Sequence, residues 1–353
     1  MKLMKKVFAI LHEPASYTVD RNRAVYDKMG IRYCYINSSS LAKANYKATE
    51  DVLMKMTFKQ RFVKLKNILK DNDIIIMNGY TGGIFLMLFF LNIFYRKTIG
   101  IDSDTQLNIP AKSIKKFVKS IYLRTVFSNK RIYGLPGGTG SHTDLFRHYG
   151  MPDNHIFLMP MMVDNSYFCY PPRENLNPFI FLFVGRIIGI KNIETLIIAF
   201  LNTFDRNESV NLRIIGEGED LANLQDKYKN KSNVCFAGAK FAEELRQEYR
   251  NAHVLVLPSS HEPWGLVVNE AMAAGMPVII SDKVGAGWDL VNGHDTGFIF
   301  RHYDINGLQK AMRQLANNKN IYIRYAYNAY HRLNNEWNYD LYRECLERFI
   351  KSV

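Results

Sequence analysis

Short, unbroken apolar runs alternate along this chain with longer stretches whose apolar positions recur every three or four residues. The runs are too continuous for half-exposed strands. They read as strands of parallel sheets buried on both faces, and the stretches between them read as helices. In the first half the pattern predicts strands over Lys6–Leu11, Asp73–Met77, Lys97–Ile101 and His155–Leu158. It predicts helices over Gly83–Tyr95, Lys112–Leu123 and Ser141–Tyr149. The segment "CYPPRENLNPF", Cys169 to Phe179, interrupts the pattern with three prolines and two asparagines and reads as a linker. Beyond it the alternation restarts. Strands are expected at Phe179–Val184, Asn211–Ile215, Asn233–Ala237, His253–Leu257 and Pro277–Ile280. Helices are expected near Asn192–Phe204, Leu221–Lys229, Ala242–Arg250 and Gly265–Ala274, and Tyr322–Val353 reads as further helix. The class is therefore α/β with parallel sheets, and ligands of such sheets bind at the carboxyl ends of the strands.

Composition narrows this picture without changing it. A length of 353 residues, 47% of them hydrophobic, suits two domains with cores of their own. Cys34, Cys169, Cys235 and Cys345 are scattered without paired spacing, which argues against a zinc site or a disulfide framework and fits a reducing compartment. The apolar stretch Val7–Leu11 is too short for the core of an export signal. Ile84–Tyr95 is the most apolar segment, yet it falls short of the roughly 20 residues that span a bilayer. It reads as a buried helix, or as a helix that also touches lipid.

Charge is distributed unevenly. Residues 1–172 hold 25 Lys/Arg against 12 Asp/Glu, whereas residues 173–353 hold 21 of each, so the whole net charge of +13 belongs to the first half. A basic face attracts polyanions or anionic lipid. In "KSIKKFVKSIYLRTVFSNKR", Lys112, Lys115, Lys116, Lys119 and Arg124 alternate with Ile114, Phe117, Val118 and Ile121 at helical spacing, and Lys55–Lys70 is a second basic stretch. The apolar stripe would face either an anionic membrane surface or the domain core. No signature of a nucleic-acid-binding module accompanies the charge, and neither half carries the GxGxxG fingerprint of a dinucleotide oxidoreductase.

The most informative segment is "HVLVLPSSHEPWGLVVNEAMAAGMPVIISD", His253 to Asp282. A buried strand runs into a short polar loop holding Glu262, and a helix opens near Gly265 with Glu270 on it. A helix N-terminus offers unpaired N–H groups and the positive end of a dipole, which suits a diphosphate. Gly265 lets a ligand approach the backbone closely, and a carboxylate accepts from paired sugar hydroxyls. Two carboxylates flanking one anion site describe a nucleotide sugar.

This segment resembles the donor-site signature of the family 4 glycosyltransferases, including its pair of glutamates eight positions apart. The similarity continues through "FLFVGRIIGIKNIETLIIAF", "LRIIGEGEDLANL", "VCFAGAKFAEEL" and "VGAGWDLVNGHDTGFIF", and "GMPDNHIFLMPMMVDNSYF" resembles the family's approach to its linker. It covers residues 151–316 well and residues 1–150 weakly. The resemblance implies two Rossmann-like domains facing a cleft (GT-B), with a C-terminal helix returning to the first domain. That means an acceptor-binding domain over 1–172, a nucleotide-sugar-binding domain over 173–335, and the returning helix over 336–353. It implies a retaining glycosyltransferase, cytoplasmic or peripheral on the inner face of a membrane, acting on a glycan or lipid-linked acceptor in cell-surface polysaccharide synthesis.

By the same resemblance Glu262 contacts the donor sugar, Glu270 holds the ribose, and Arg186 and Lys191 neutralise the diphosphate. Gly265, Leu266 and Val267 line the anion site, and Gly238 and Lys240 lie beside the base. No protein nucleophile belongs to the signature, so a front-face reaction assisted by the leaving phosphate is implied. The first half departs from the family pattern. "LHEPASYTVDRN" stands where a Gly-rich loop is common, and "DSD" where a histidine is common. His12, Glu13, Asp102 and Asp104 are therefore acceptor-side candidates. An Asp-x-Asp pair can also hold a divalent cation, but a donor site with its own cations needs none, and no metal or cofactor is expected.

Overall fold

The computed structural model describes residues 5–38, 51–108, 114–205, 207 and 209–353. The chain divides into two compact units, residues 1–162 with 339–353, and residues 163–338.

The first unit is built on a five-stranded sheet of β1 (Val7–Leu11), β2 (Arg32–Tyr35), β3 (Ile74–Asn78), β4 (Thr98–Ser103) and β5 (Ile132–Pro136), in the order β2-β1-β3-β4-β5. All of its pairings are parallel. β1 is buried at every position and β3 at all but its last, as their unbroken apolar runs predict. His155–Leu158, expected as a strand, makes only an isolated bridge, Gly134 to Ile156. The fifth strand is Ile132–Pro136 instead, where a glycine and a proline interrupt the apolar run and hide the period.

Helix α1 (Ser16–Arg21) follows β1. Helices α2 (Phe58–Asp71), α3 (Gly83–Tyr95) and α4 (Ile114–Phe127) precede β3, β4 and β5 in turn. α2 starts at a reciprocal cap: the Gln60 amide N–H donates to Thr57 Oγ1 at 3.3 Å, and the Thr57 N–H donates to Gln60 Oε1 at 2.8 Å. α3 corrects the expectation of a buried helix. Its sequence is apolar all round, but only Ile84, Phe85, Leu88 and Asn92 are buried, with Met87, Phe89, Leu91 and Tyr95 partly buried against the core beside them. Leu86, Phe90, Ile93 and Phe94 stand exposed.

The second unit holds a six-stranded sheet of β6 (Phe179–Val184), β7 (Val210–Ile215), β8 (Val234–Phe236), β9 (Val254–Leu257), β10 (Val278–Ser281) and β11 (Gly297–Phe300), ordered β11-β10-β9-β6-β7-β8. Every pairing is again parallel. The strand order reverses at the β6–β9 pair, and the loops leaving those two strands carry the candidate chemistry. The helices that matter are α5 (Ile193–Phe204) after β6, α6 (Ala242–Asn251) before β9, and α7 (Leu266–Ala273) after it.

Helix α8 (Tyr339–Ser352) completes the first unit. Its Tyr342 hydroxyl lies 3.0 Å from that of Tyr26, and its Phe349 ring packs 5.8 Å from Tyr133 and 5.6 Å from Phe157. Among the described residues no helix is long and apolar enough to cross a membrane.

Candidate functional site

In the second unit the site begins with the loop after β6. Gly185 leaves the strand, Arg186 is exposed, and Gly189–Lys191 forms a short helical turn. The loop's path depends on its neighbour after β7. A Cβ at Gly216 would lie 1.8 Å from the Gly185 carbonyl oxygen, and one at Gly218 would lie 2.1 Å from that of Ile187. Backbone bonds fill this contact: Ile187 N–H donates to Glu217 O at 2.8 Å and Asp220 N–H to Ile187 O at 3.1 Å. "GEG" is thus less a phosphate loop than the floor on which the Arg186–Lys191 loop rests.

The second loop, after β9, is fixed just as firmly. Ser260 N–H donates to Ile190 O at 2.8 Å, tying the two loops together. Glu262 N–H donates to Lys283 O at 3.1 Å, and Glu262 O accepts from Gly285 N–H at 3.0 Å. Trp264 is buried, donates from Nε1 to Asn269 Oδ1 at 2.7 Å and stacks on Trp337. Between these anchors Gly265 adopts a φ of 95° and opens α7 with no side-chain cap. Its missing side chain matters, since a Cβ would meet Glu262, Leu257 and Val284 atoms at 3.2 Å. The N–H groups of Leu266 and Val267 belong to the first turn of α7, where the positive end of the helix dipole favours an anion.

The two loops meet through side chains. Lys191 Nζ forms an ion pair and hydrogen bond with Glu262 Oε2, both side chains about five-sixths buried. Ser259 Oγ lies 3.3 Å from the same oxygen. Glu270, a turn further along α7, accepts from the Tyr249 hydroxyl of α6 at 2.6 Å. Burial pushes the Glu270 carboxyl above its ordinary value, and the Tyr249 hydrogen bond offsets part of that rise. Gly238 O accepts from Gly216 N–H at 2.9 Å, so this residue adjoins the turn below the first loop. Lys240 sits 4.0 Å from Glu244.

The first unit has a polar cavity of 370 Å³ of its own, lined by His12, Asn78, Asp102 and Asp104 with Tyr17 and Tyr80. Glu13 is not among its lining residues. Asp102, next to last in β4, is buried and lies 3.5 Å from Arg21 of α1. Burial pushes its carboxyl up to about 6, against the opposing pull of Arg21. Arg21 escapes a reading of the sequence because a lone arginine after "YTVD" carries no motif. Tyr249 and Ser259 escape it for the same reason. Among the described residues no group of three or more His, Cys, Asp and Glu could hold a metal.

Known proteins resemble this chain in sequence and in fold. The family model for glycosyl transferases group 1 matches residues 171–332, which carry every element of the two-loop site. Through these residues the chain is similar to the glycosyl transferases group 1 family. A capsular polysaccharide biosynthesis glycosyltransferase of Staphylococcus aureus is 30% identical over 202 residues, 56% of this chain and 53% of that one. An uncharacterized glycosyltransferase of Methanocaldococcus jannaschii is 39% identical over 107 residues, 30% of this chain and 27% of that one. The chain thus matches between about a quarter and a half of the length of these relatives. Among solved structures, HepE of Anabaena in complex with UDP superposes with a TM-score of 0.78 at 15% identity, covering 99% of this chain and 100% of that one. The likeness shows the fold, the two-Rossmann GT-B fold of this family.

Proposed function

We propose that this chain is a retaining glycosyltransferase that moves a sugar from a nucleotide-diphosphate sugar to a hydroxyl acceptor. The observation that carries the reading is the pairing of Lys191 with Glu262 beside the uncapped start of α7. One loop supplies a cation for the diphosphate, and the other a carboxylate for the sugar hydroxyls. In this reading the anomeric C–O bond to the diphosphate breaks and the diphosphate leaves with the electron pair. Arg186, Lys191 and the N–H groups of Leu266 and Val267 stabilise the growing charge. The acceptor oxygen bonds to the same carbon from the same face, and its proton passes to the leaving phosphate oxygen. Glu270 receives the ribose, with Tyr249 fixing its rotamer, and Gly238 and Lys240 flank the base.

The domain roles follow from the same reading: residues 1–172 take the acceptor, 173–335 the donor, and the helix over 336–353 belongs with the first. The acceptor side is the hydroxyl- and carboxylate-lined cavity of His12, Asp102 and Asp104, which suits a glycan. Glu13 adjoins His12 in sequence. A lipid-linked glycan of a cell-surface polysaccharide fits that chemistry, and the S. aureus relative is by its printed name a capsular polysaccharide enzyme. The test is a thermal-shift screen of UDP-, GDP-, dTDP- and ADP-sugars followed by donor hydrolysis. A ligand that binds only the folded state raises Tm, so one donor class should shift Tm and be hydrolysed. A shift without any turnover would make the chain a sugar-nucleotide-binding protein and overturn the proposal.

A further inference from the structure

The outer surface of the first unit carries a feature that sugar transfer does not use. The connections β2 to β3, β3 to β4 and β4 to β5 all advance in one direction across the sheet. Right-handed crossovers therefore lay α2, α3 and α4 side by side on one face. α2 packs against α3, and the Tyr122 hydroxyl of α4 donates to Tyr80 O, just before α3, at 2.6 Å. Each helix buries one stripe and turns an apolar stripe outward: Phe58, Phe62 and Val63 on α2, Leu86, Phe90, Ile93 and Phe94 on α3, and Phe117, Val118 and Ile121 on α4. Phe94 is 82% exposed and Phe117 68%. Soluble surfaces rarely gather so many large apolar side chains in one layer.

The charge of the layer is as one-sided as its hydrophobicity. α2 holds five Lys/Arg and α4 four, α3 has no charged residue, and Asp71 is the single acid among the three helices. Lys59, Lys66 and Lys70 are exposed on α2 and Arg124 on α4. An apolar centre flanked by cations matches an anionic bilayer, where aromatic rings enter the acyl boundary and lysines meet the headgroups. A second copy of the chain is disfavoured, because this face would meet its own like charge. A soluble polyanion would satisfy the lysines but not the phenylalanines.

We infer that the α2–α3–α4 layer is a monotopic docking surface for anionic lipid, with Phe90, Ile93 and Phe94 inserted and the α2 lysines as its electrostatic rim. The inference does not rest on glycosyl transfer, and its test uses no donor sugar. The full chain is co-sedimented with phosphatidylcholine vesicles, with and without phosphatidylglycerol, across a salt series. Binding should require phosphatidylglycerol and fall with salt. Lys66→Gln and Lys70→Gln should each weaken it about fivefold, the equivalent of about 1 kcal/mol per cation. Phe90→Ser with Phe94→Ser should weaken it about tenfold or more at unchanged charge. All four side chains are exposed, and unchanged Tm would confirm folding. As an independent readout, the tryptophan emission of Phe94→Trp should shift to the blue on vesicle addition. Binding to neither vesicle, or equal binding to both, overturns the inference. So does wild-type binding by the double Phe variant, or an unshifted emission from Phe94→Trp, either of which would leave simple polyanion contact.

Discussion

The two units place their polar chemistry in opposite ways. In the second unit the site is held by backbone: Gly216 and Gly218 seat the first loop, Gly265 opens α7, and main-chain bonds clamp Glu262 on both sides. The side chains that project from this frame are few: Lys191 and Ser259 meet Glu262, and Tyr249 meets Glu270. In the first unit the polar cavity is held by side chains from distant elements, with Arg21 of α1 set against Asp102 of β4 and Tyr17 and Tyr80 in the wall. A backbone-built site demands glycine at set positions and so leaves a motif. A side-chain-built site can be assembled from many residue combinations and leaves none.

The harshest test of that contrast is Gly216→Ala. Its Cβ would fall 1.8 Å from a backbone oxygen at a φ of 144°, and neither loop can yield without losing its hydrogen bonds. A loss of about 3 kcal/mol or more in stability of the second unit is expected, the range of strong overpacking combined with backbone strain. Chemical denaturation would measure it. Unchanged stability would show that the loops are not mutually seated.

Next in size is Glu262→Ala. It removes a charge-assisted hydrogen bond to the sugar and leaves Lys191 without its partner, at a cost of about 1.5–3 kcal/mol or roughly 10- to 100-fold in kcat. Glu270→Ala should act more on donor KM, since its carboxylate is distant from the reacting carbon in the proposed pose. Steady-state kinetics on folded variants separates the two. Wild-type turnover in Glu262→Ala would remove that residue from the proposed machinery.

The same contrast explains what the sequence discloses. The second half is readable almost element by element, because continuous runs such as "FIFLFV" and "VLVLP" fit buried parallel strands, and the E-x7-E spacing follows from strand, loop and helix. In the first half, β2 is hidden by its polar sequence "RYCY", and β5 by Gly134 and Pro136. The outward face of α3 is invisible for a different reason: a helix apolar on all sides carries no periodicity to say which side packs. Lys112, part of the basic stretch read from sequence, lies outside the described residues. Asp102 stands out in sequence as a polar residue following an apolar run, but its partner Arg21 is far away along the chain and is brought to it only by the fold.

A further effect, confined to the first unit, is titration of Asp102. Its carboxyl stands near 6 in the folded chain against an ordinary value of 3.8, because burial disfavours the charge. A raised pKa means that the native state holds the proton more tightly than the unfolded chain. The stabilisation is therefore complete below about pH 4 and is lost as pH rises through about 6, on the order of 3 kcal/mol. Asp102→Asn, neutral at every pH, should flatten this slope, and it should resemble wild type most closely at low pH, where Asp102 is itself protonated. The difference between wild-type and variant denaturation curves from about pH 4 to 7 isolates this group from the others. A difference independent of pH would mean that Asp102 titrates normally.

The smallest expected effect is that of a chelator on turnover, and it follows from where each unit puts its cations. In the second unit Lys191 sits on Glu262, and Arg186 lies on the same loop as Lys191. In the proposed reaction these cations supply the positive charge for a leaving diphosphate, which is the role a divalent ion would otherwise fill. In the first unit the Asp102–Asp104 pair looks like a cation site in sequence. In the structure Arg21 already stands 3.5 Å from Asp102, and a divalent ion entering beside that guanidinium would meet a fixed like charge. A raised carboxyl pKa also makes Asp102 a poorer hard ligand, since the coordinating form is the anion. Turnover should therefore be the same with EDTA as with added magnesium or manganese. Complete loss in EDTA, restored by one of those ions, would reverse the assignment. It would also place Asp104 at a metal, because Asp102 could join it only by leaving Arg21, and Arg21→Gln would then be expected to tighten rather than weaken the metal dependence.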